Sequence, residues 1–144
     1  MEINGLPLHP LVVHAAVVFA PLAALAALAY VVRPAWRDRL RWPMLAVASL
    51  ATGAIVAAYF TGGDLLSSRP HLAQLELVGA HQDRGAQLFW VTLGFGVLAV
   101  AAGLLPSRAG AMRPVLNVLL GLAAVAVLAL VVLTGDSGAR AVWG

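Results

Sequence analysis

The chain has 144 residues, of which 62% are hydrophobic and 10% charged, with a mean hydropathy of +0.93. A soluble domain of this size needs a polar surface that so few charged residues cannot supply, so that class is excluded. The formal net charge of +3 does not point to nucleic acid: the basic residues are nine arginines in short connectors, with no basic face on a soluble module.

Apolar runs of membrane-spanning length settle the class. At about 1.5 Å per residue a helix needs about 20 residues to cross a hydrocarbon core of about 30 Å. The sequence predicts helices over about 10–32, 43–60, 81–105 and 115–133 in one membrane domain, with an outer loop over about 61–80. The expected fold is all-α, an integral membrane four-helix bundle. Glu2 is the one charge ahead of the first run, where a signal peptide would carry positive charge, so that helix is expected to be retained. With no cysteine, c-type haem attachment, thiolate clusters and disulfides are excluded, and a metal must use histidine, carboxylate or carbonyl ligands.

The first connector, "RPAWRDRLRW", carries Arg33, Arg37, Arg39 and Arg41; the third, "PSRAGAMRP", carries Arg108 and Arg113. Arg69, Arg84 and Arg140 fall on the opposite side. The excess predicts that the first side is cytoplasmic and that both termini face outward, in a bacterial plasma membrane. In the outer loop Ser68 is expected to cap a short surface helix near Pro70, with Leu72, Leu75 and Val78 on one face.

A short internal repeat accompanies this topology. "TGGD" (61–64) closes the second helix and "TGDSG" (134–138) the fourth, each preceded one helix earlier by an entry histidine, His14 or His81. Two such hairpins about an axis along the membrane normal make a four-helix bundle. Asp64 and Asp136 are expected just past helix ends, where they can cap a turn or pair with outer-face Arg or His.

All four histidines, His9, His14, His71 and His81, lie toward the outer face. Pro10 suits the first helical position, which makes His9 the capping residue. Five residues turn a helix by about 500°, so His9 and His14 point about 140° apart and cannot readily share a metal. His14 is expected to face inward and His9 to sit at the rim. His81 opens the third helix at comparable depth, and His71 is a surface residue. An ionisable side chain below the headgroups usually faces the bundle interior. Paired histidines on nonadjacent helices can hold a b-type haem or, with carboxylate help, a metal.

"GLPLHPLVVHAAVVFAPLAAL", "TGGDLL", "AHQDRG" and "TGDSGARAVWG" together resemble the predicted membrane proteins of domain of unknown function 2231, its actinobacterial branch especially. The resemblance implies a four-helix integral membrane protein, joined in some relatives to Rieske or cytochrome c modules, and hence electron transfer. Some relatives carry histidines near the closing motif, where this chain has Asp136.

The functional expectation is a small subunit binding haem b or a metal for electron transfer at the outer face. His14 and His81 are the expected ligands and His9 an ancillary cofactor-binding residue. Catalytic activity of its own is not expected, since no nucleophile–base pair or phosphate loop is present. The expected partners are membrane lipid together with other membrane subunits, redox proteins or further copies of the chain; nucleic acid is not among them. The alternative is a non-redox accessory or assembly subunit of a larger membrane complex.

Overall fold

The computed structural model describes residues 2–3, 5–105 and 110–143. Four long helices make up the chain: α1 (Leu8–Val32), α2 (Arg37–Ser68), α3 (Glu76–Leu104) and α4 (Met112–Trp143). Each is long and apolar enough to cross a membrane, as lipid demands when backbone groups must bond within their own segment. A two-residue antiparallel pair, β1 (Glu2–Ile3) with β2 (Leu6–Pro7), precedes them, and Gly5 takes the positive φ of 79° that its turn requires.

Helix neighbours run α1–α2–α3–α4 and back to α1, so that α1 and α3 stand on one diagonal of the bundle. Four crossings bring the N-terminus of α1 and the C-terminus of α4 to the same end, together with all four histidines. Val17, Val18, Leu25, Val97, Leu122 and Val132 point outward, as lipid-facing side chains do. The core joins small and large: Ala20, Ala23, Ala24 and Ala27 of α1 are fully buried, as are Met44, Phe95 and Leu120.

The helices overrun their expected ends at the histidine side. Glycines stop a helix by taking positive φ, and among the described residues only Gly5 and Gly110 do so. The "TGGD" and "TGDSG" stretches therefore lie inside α2 and α4 rather than closing them. α2 ends ahead of Pro70, whose ring disfavours helix at the residue before it. Asp64 and Asp136 are accordingly helical residues, and Asp136 pairs with Arg140 one turn on, at 2.9 Å. The expected surface helix reduces to a single 3₁₀ turn, Leu72–Gln74, between α2 and α3.

At the opposite end two arginines bond helix C-terminal carbonyls, which have no partner within the helix. Arg37 donates to the carbonyls of Tyr30 (3.1 Å) and Val31 (3.2 Å). Arg113 donates to those of Ala102 (2.6 Å) and Leu105 (2.9 Å), and the Tyr30 hydroxyl also donates to Ala102.

These contacts expose a full internal repeat. One register carries α1 onto α3, taking Tyr30 to Ala102; a second carries α2 onto α4, taking Arg37 to Arg113. Under the first, buried Ala16, Ala20, Ala23 and Ala27 fall on buried Leu88, Thr92, Phe95 and Ala99. Under the second, buried Met44, Ala48, Ala51 and Ile55 fall on buried Leu120, Ala124, Val127 and Val131. The expectation of two similar hairpins thus holds at the level of the core. Its alignment changes, however, because Thr61 matches Ser137 rather than Thr134.

Candidate functional site

The same registers carry His9 onto His81 and the Thr61-Gly62 pair onto Ser137-Gly138. α1 begins at Leu8, so His9 is its second residue rather than its cap, and Pro10 sits harmlessly in a first turn whose N–H groups are unbonded anyway. His9 lies seven residues before Ala16, on the stripe that continues through Ala20, Ala23 and Ala27 into the core. His81 stands likewise seven residues before Leu88. Both imidazoles are partly buried and reach the neighbouring helix of their own hairpin.

His9 Nδ1 lies 2.9 Å from the Ala58 carbonyl and 3.4 Å from Thr61 Oγ1. A carbonyl only accepts, and the Thr61 hydroxyl already donates to Ala57 at 2.7 Å. Nδ1 must therefore carry a proton and donate; in the neutral ring the lone pair is then on Nε2. His81 repeats the arrangement: Nδ1 donates to the Thr134 carbonyl at 3.1 Å and approaches Ser137 Oγ at 3.3 Å, while Ser137 donates to Thr134 at 2.9 Å. A backbone acceptor on one ring nitrogen is the usual device for orienting a histidine that ligates through the other.

The glycines make room for the rings. A Cβ on Gly62 would lie 3.1 Å from His9 Cε1, and one on Gly138 would lie 2.9 Å from His81 Cε1. From opposite corners the two rings then meet near the bundle axis, with centroids 6.3 Å apart and planes inclined at 67°.

His14 is placed differently from the expectation. It is exposed on the stripe of Val18 and Leu25, and its Nδ1 bonds the Pro10 carbonyl of its own helix at 2.6 Å. The two imidazoles do lie on different sides of α1, but with the roles reversed: His9 is partly buried and His14 exposed. His71 is exposed, as expected of a surface residue. Thr61, Gly62, Ser137 and Gly138 belong to the site as well, and the sequence signal for them is a hydroxyl residue followed by glycine in each hairpin.

As a donor set, the junction offers two imidazoles and, among the described residues, no carboxylate. Among the described residues no three of His, Asp or Glu gather as metal ligands. Ions that need four or more protein donors are poorly served, as zinc is. Iron in a porphyrin takes four nitrogens from the macrocycle and asks only two axial ligands of the protein, and a cuprous ion can accept two. With metal–nitrogen bonds of about 2 Å on each side, ring centres fall roughly 6 Å apart when both Nε2 atoms face the ion; the observed centroids are 6.3 Å apart. Thr134 Oγ1 is buried without a hydrogen-bond partner.

Fold and site together define a multi-pass membrane protein built of two similar hairpins, each bringing one anchored histidine to a shared junction. The family model described as predicted membrane protein (DUF2231) matches residues 5–144, and the chain belongs to that family. No curated protein and no solved structure matches it.

Proposed function

We propose that the chain is a membrane electron-carrier subunit in which His9 and His81, one from each hairpin, ligate a haem b or a two-coordinate metal ion. The convergence of two imidazoles with Nδ1 fixed on backbone carbonyls carries the reading. A haem bound there would supply reversible one-electron chemistry. The Nδ1 hydrogen bonds to the Ala58 and Thr134 carbonyls would orient the two rings and leave Nε2 as the ligating nitrogen. The expected ligand pair His14 and His81 gives way to His9 and His81, because His14 is exposed and its Nδ1 bonds a carbonyl of its own helix. Under this reading the histidine end faces outward, opposite the arginine-rich end.

Titration of the detergent-purified chain with haemin, and separately with cuprous ion, tests the reading. Saturation at one equivalent per chain by either, lost in His9→Ala, supports it; no saturable binding of either rejects it.

A non-redox accessory role is the second reading, favoured by the groove between α2 and α3. Ser49, Thr52, Gly53 and Gly96 line it beside Val97 and Val100. Their repeat partners, Val125, Leu128, Ala129 and Ala24, are bulkier at every position. Small residues of this kind let another helix approach closely in lipid. Copurification with a membrane protein that Gly53→Leu abolishes would favour this role.

A further inference from the structure

At the histidine end a cleft of about 250 Å³ opens between α3 and α4. Leu77, Ala80 and Arg84 line it from α3, at the three- and four-residue spacing that puts side chains on one helix face. Leu133, Asp136 and Arg140 line it from α4 at the same spacing. The two arginines therefore border a single opening, one from each helix.

Neither cation is fully engaged. Arg140 Nε donates to Asp136 at 2.9 Å. Arg84 is exposed and makes no ion pair or hydrogen bond among the described residues. Asp136 is the one carboxylate on the lining, so two positive charges meet one negative. The repeat registers separate these charges from what builds the bundle: they put Val12, Phe60 and Asp64 of the first hairpin where the second has Arg84, Asp136 and Arg140. Both hairpins fold alike without the pair of cations, and an exposed ion pair adds little to stability.

We infer that Arg84 and Arg140 form a binding site for a phosphate ester. A phosphate presents oxygens in several directions and so takes N–H donors from both helices, whereas a single guanidinium fork fills one carboxylate. At about 30 Å³ per water the cleft has roughly eight water volumes. That is room for the phosphate and a few atoms of its ester against Leu77, Ala80 and Leu133. Trp90 lies six residues after Arg84, about 9 Å nearer the membrane centre, and indoles settle at headgroup level. A lipid headgroup and a soluble phosphate ester can both reach a cleft at that height. The cleft stands whether or not the histidine junction binds a cofactor.

Two experiments on the full chain in nanodiscs separate the sources. In phosphatidylcholine alone, glycerophosphate is titrated by calorimetry. In equal phosphatidylcholine and phosphatidylglycerol, the lipid retained after mild detergent extraction is read by mass spectrometry. Saturation at one glycerophosphate per chain assigns the cleft to a soluble ester; severalfold enrichment of phosphatidylglycerol assigns it to a headgroup. In whichever experiment shows binding, Arg84→Gln and Arg140→Gln should each weaken it about tenfold, the effect of one lost charge-assisted contact. Both variants alter exposed side chains and should keep their helix content by circular dichroism. Arg39→Gln at the opposite end should leave binding unchanged. No binding in either experiment, or binding that survives both substitutions, overturns the inference. Equal weakening by Arg39→Gln does so too, by reducing the effect to net charge.

Discussion

His9 and His81 bring their rings within 6.3 Å although they belong to helices on a diagonal of the bundle. Each is fastened within its own hairpin, His9 to Ala58 of α2 and His81 to Thr134 of α4. The junction is therefore assembled only when the two hairpins dock, with each half supplying one imidazole. A ligand held there would also cross-link the halves and stabilise the docked state by mass action.

The glycine seats give one prediction. Alanine at Gly138 puts a methyl 2.9 Å from the His81 ring, and at Gly62 3.1 Å from the His9 ring. Both variants should keep their helix content by circular dichroism but bind haemin or cuprous ion at least tenfold more weakly, Gly138→Ala more so. Gly63→Ala and Gly135→Ala, where nothing lies within 4 Å, should bind normally.

At the arginine-rich end Tyr30 and Arg113 share the Ala102 carbonyl. Tyr30→Phe leaves Arg113 to satisfy that carbonyl and should cost about 1 kcal/mol, as one neutral hydrogen bond does. Arg113→Gln removes bonds to two carbonyls at once and should cost about 2 kcal/mol. Unfolding of the purified protein by mixed-micelle titration checks both, and equal costs would argue against this division of roles.

Hairpin docking also depends on Gly103, where an added Cβ would fall 2.8–2.9 Å from the Leu45 side chain. Gly103→Ala should destabilise by about 1–3 kcal/mol through overpacking. Leu45→Ala should restore most of that loss in the double variant. The repeat reverses the pairing at the other interface, where Gly121 of α4 faces Val31 of α1 at 3.8 Å, so Gly121→Ala should be tolerated.

Class and span count were legible in the sequence, because lipid imposes them through composition and run length. Helix ends were not: Gly62, Gly63, Gly135 and Gly138 read as terminators, yet none takes positive φ. Nor was the orientation of α1 about its axis. A helix in lipid is apolar on every face, so hydrophobic period does not separate inside from outside. Residue size does, since the alanine stripe from Ala16 to Ala27 faces the core while Val17, Val18, Leu22 and Leu25 face out. Extended back two turns, that stripe selects His9 over His14.

The arginine excess of the first and third connectors predicts that those connectors face the cytoplasm. A reporter active only in the cytoplasm should be silent when fused after Gly144 and active when inserted at Gly110. The reverse pattern would turn the histidine junction toward the cytoplasm.

The central claim is met most directly by the optical spectrum and metal content of the chain purified from haem-replete cells, compared across histidine variants. A Soret band with sharpened visible bands on reduction, or one stoichiometric copper, is expected in the native chain. His9→Ala and His81→Ala should each remove it or turn a haem high-spin, while His14→Ala and His71→Ala should leave it intact. A native chain without colour or metal, or one in which His14→Ala strips the cofactor and His9→Ala does not, would contradict the account.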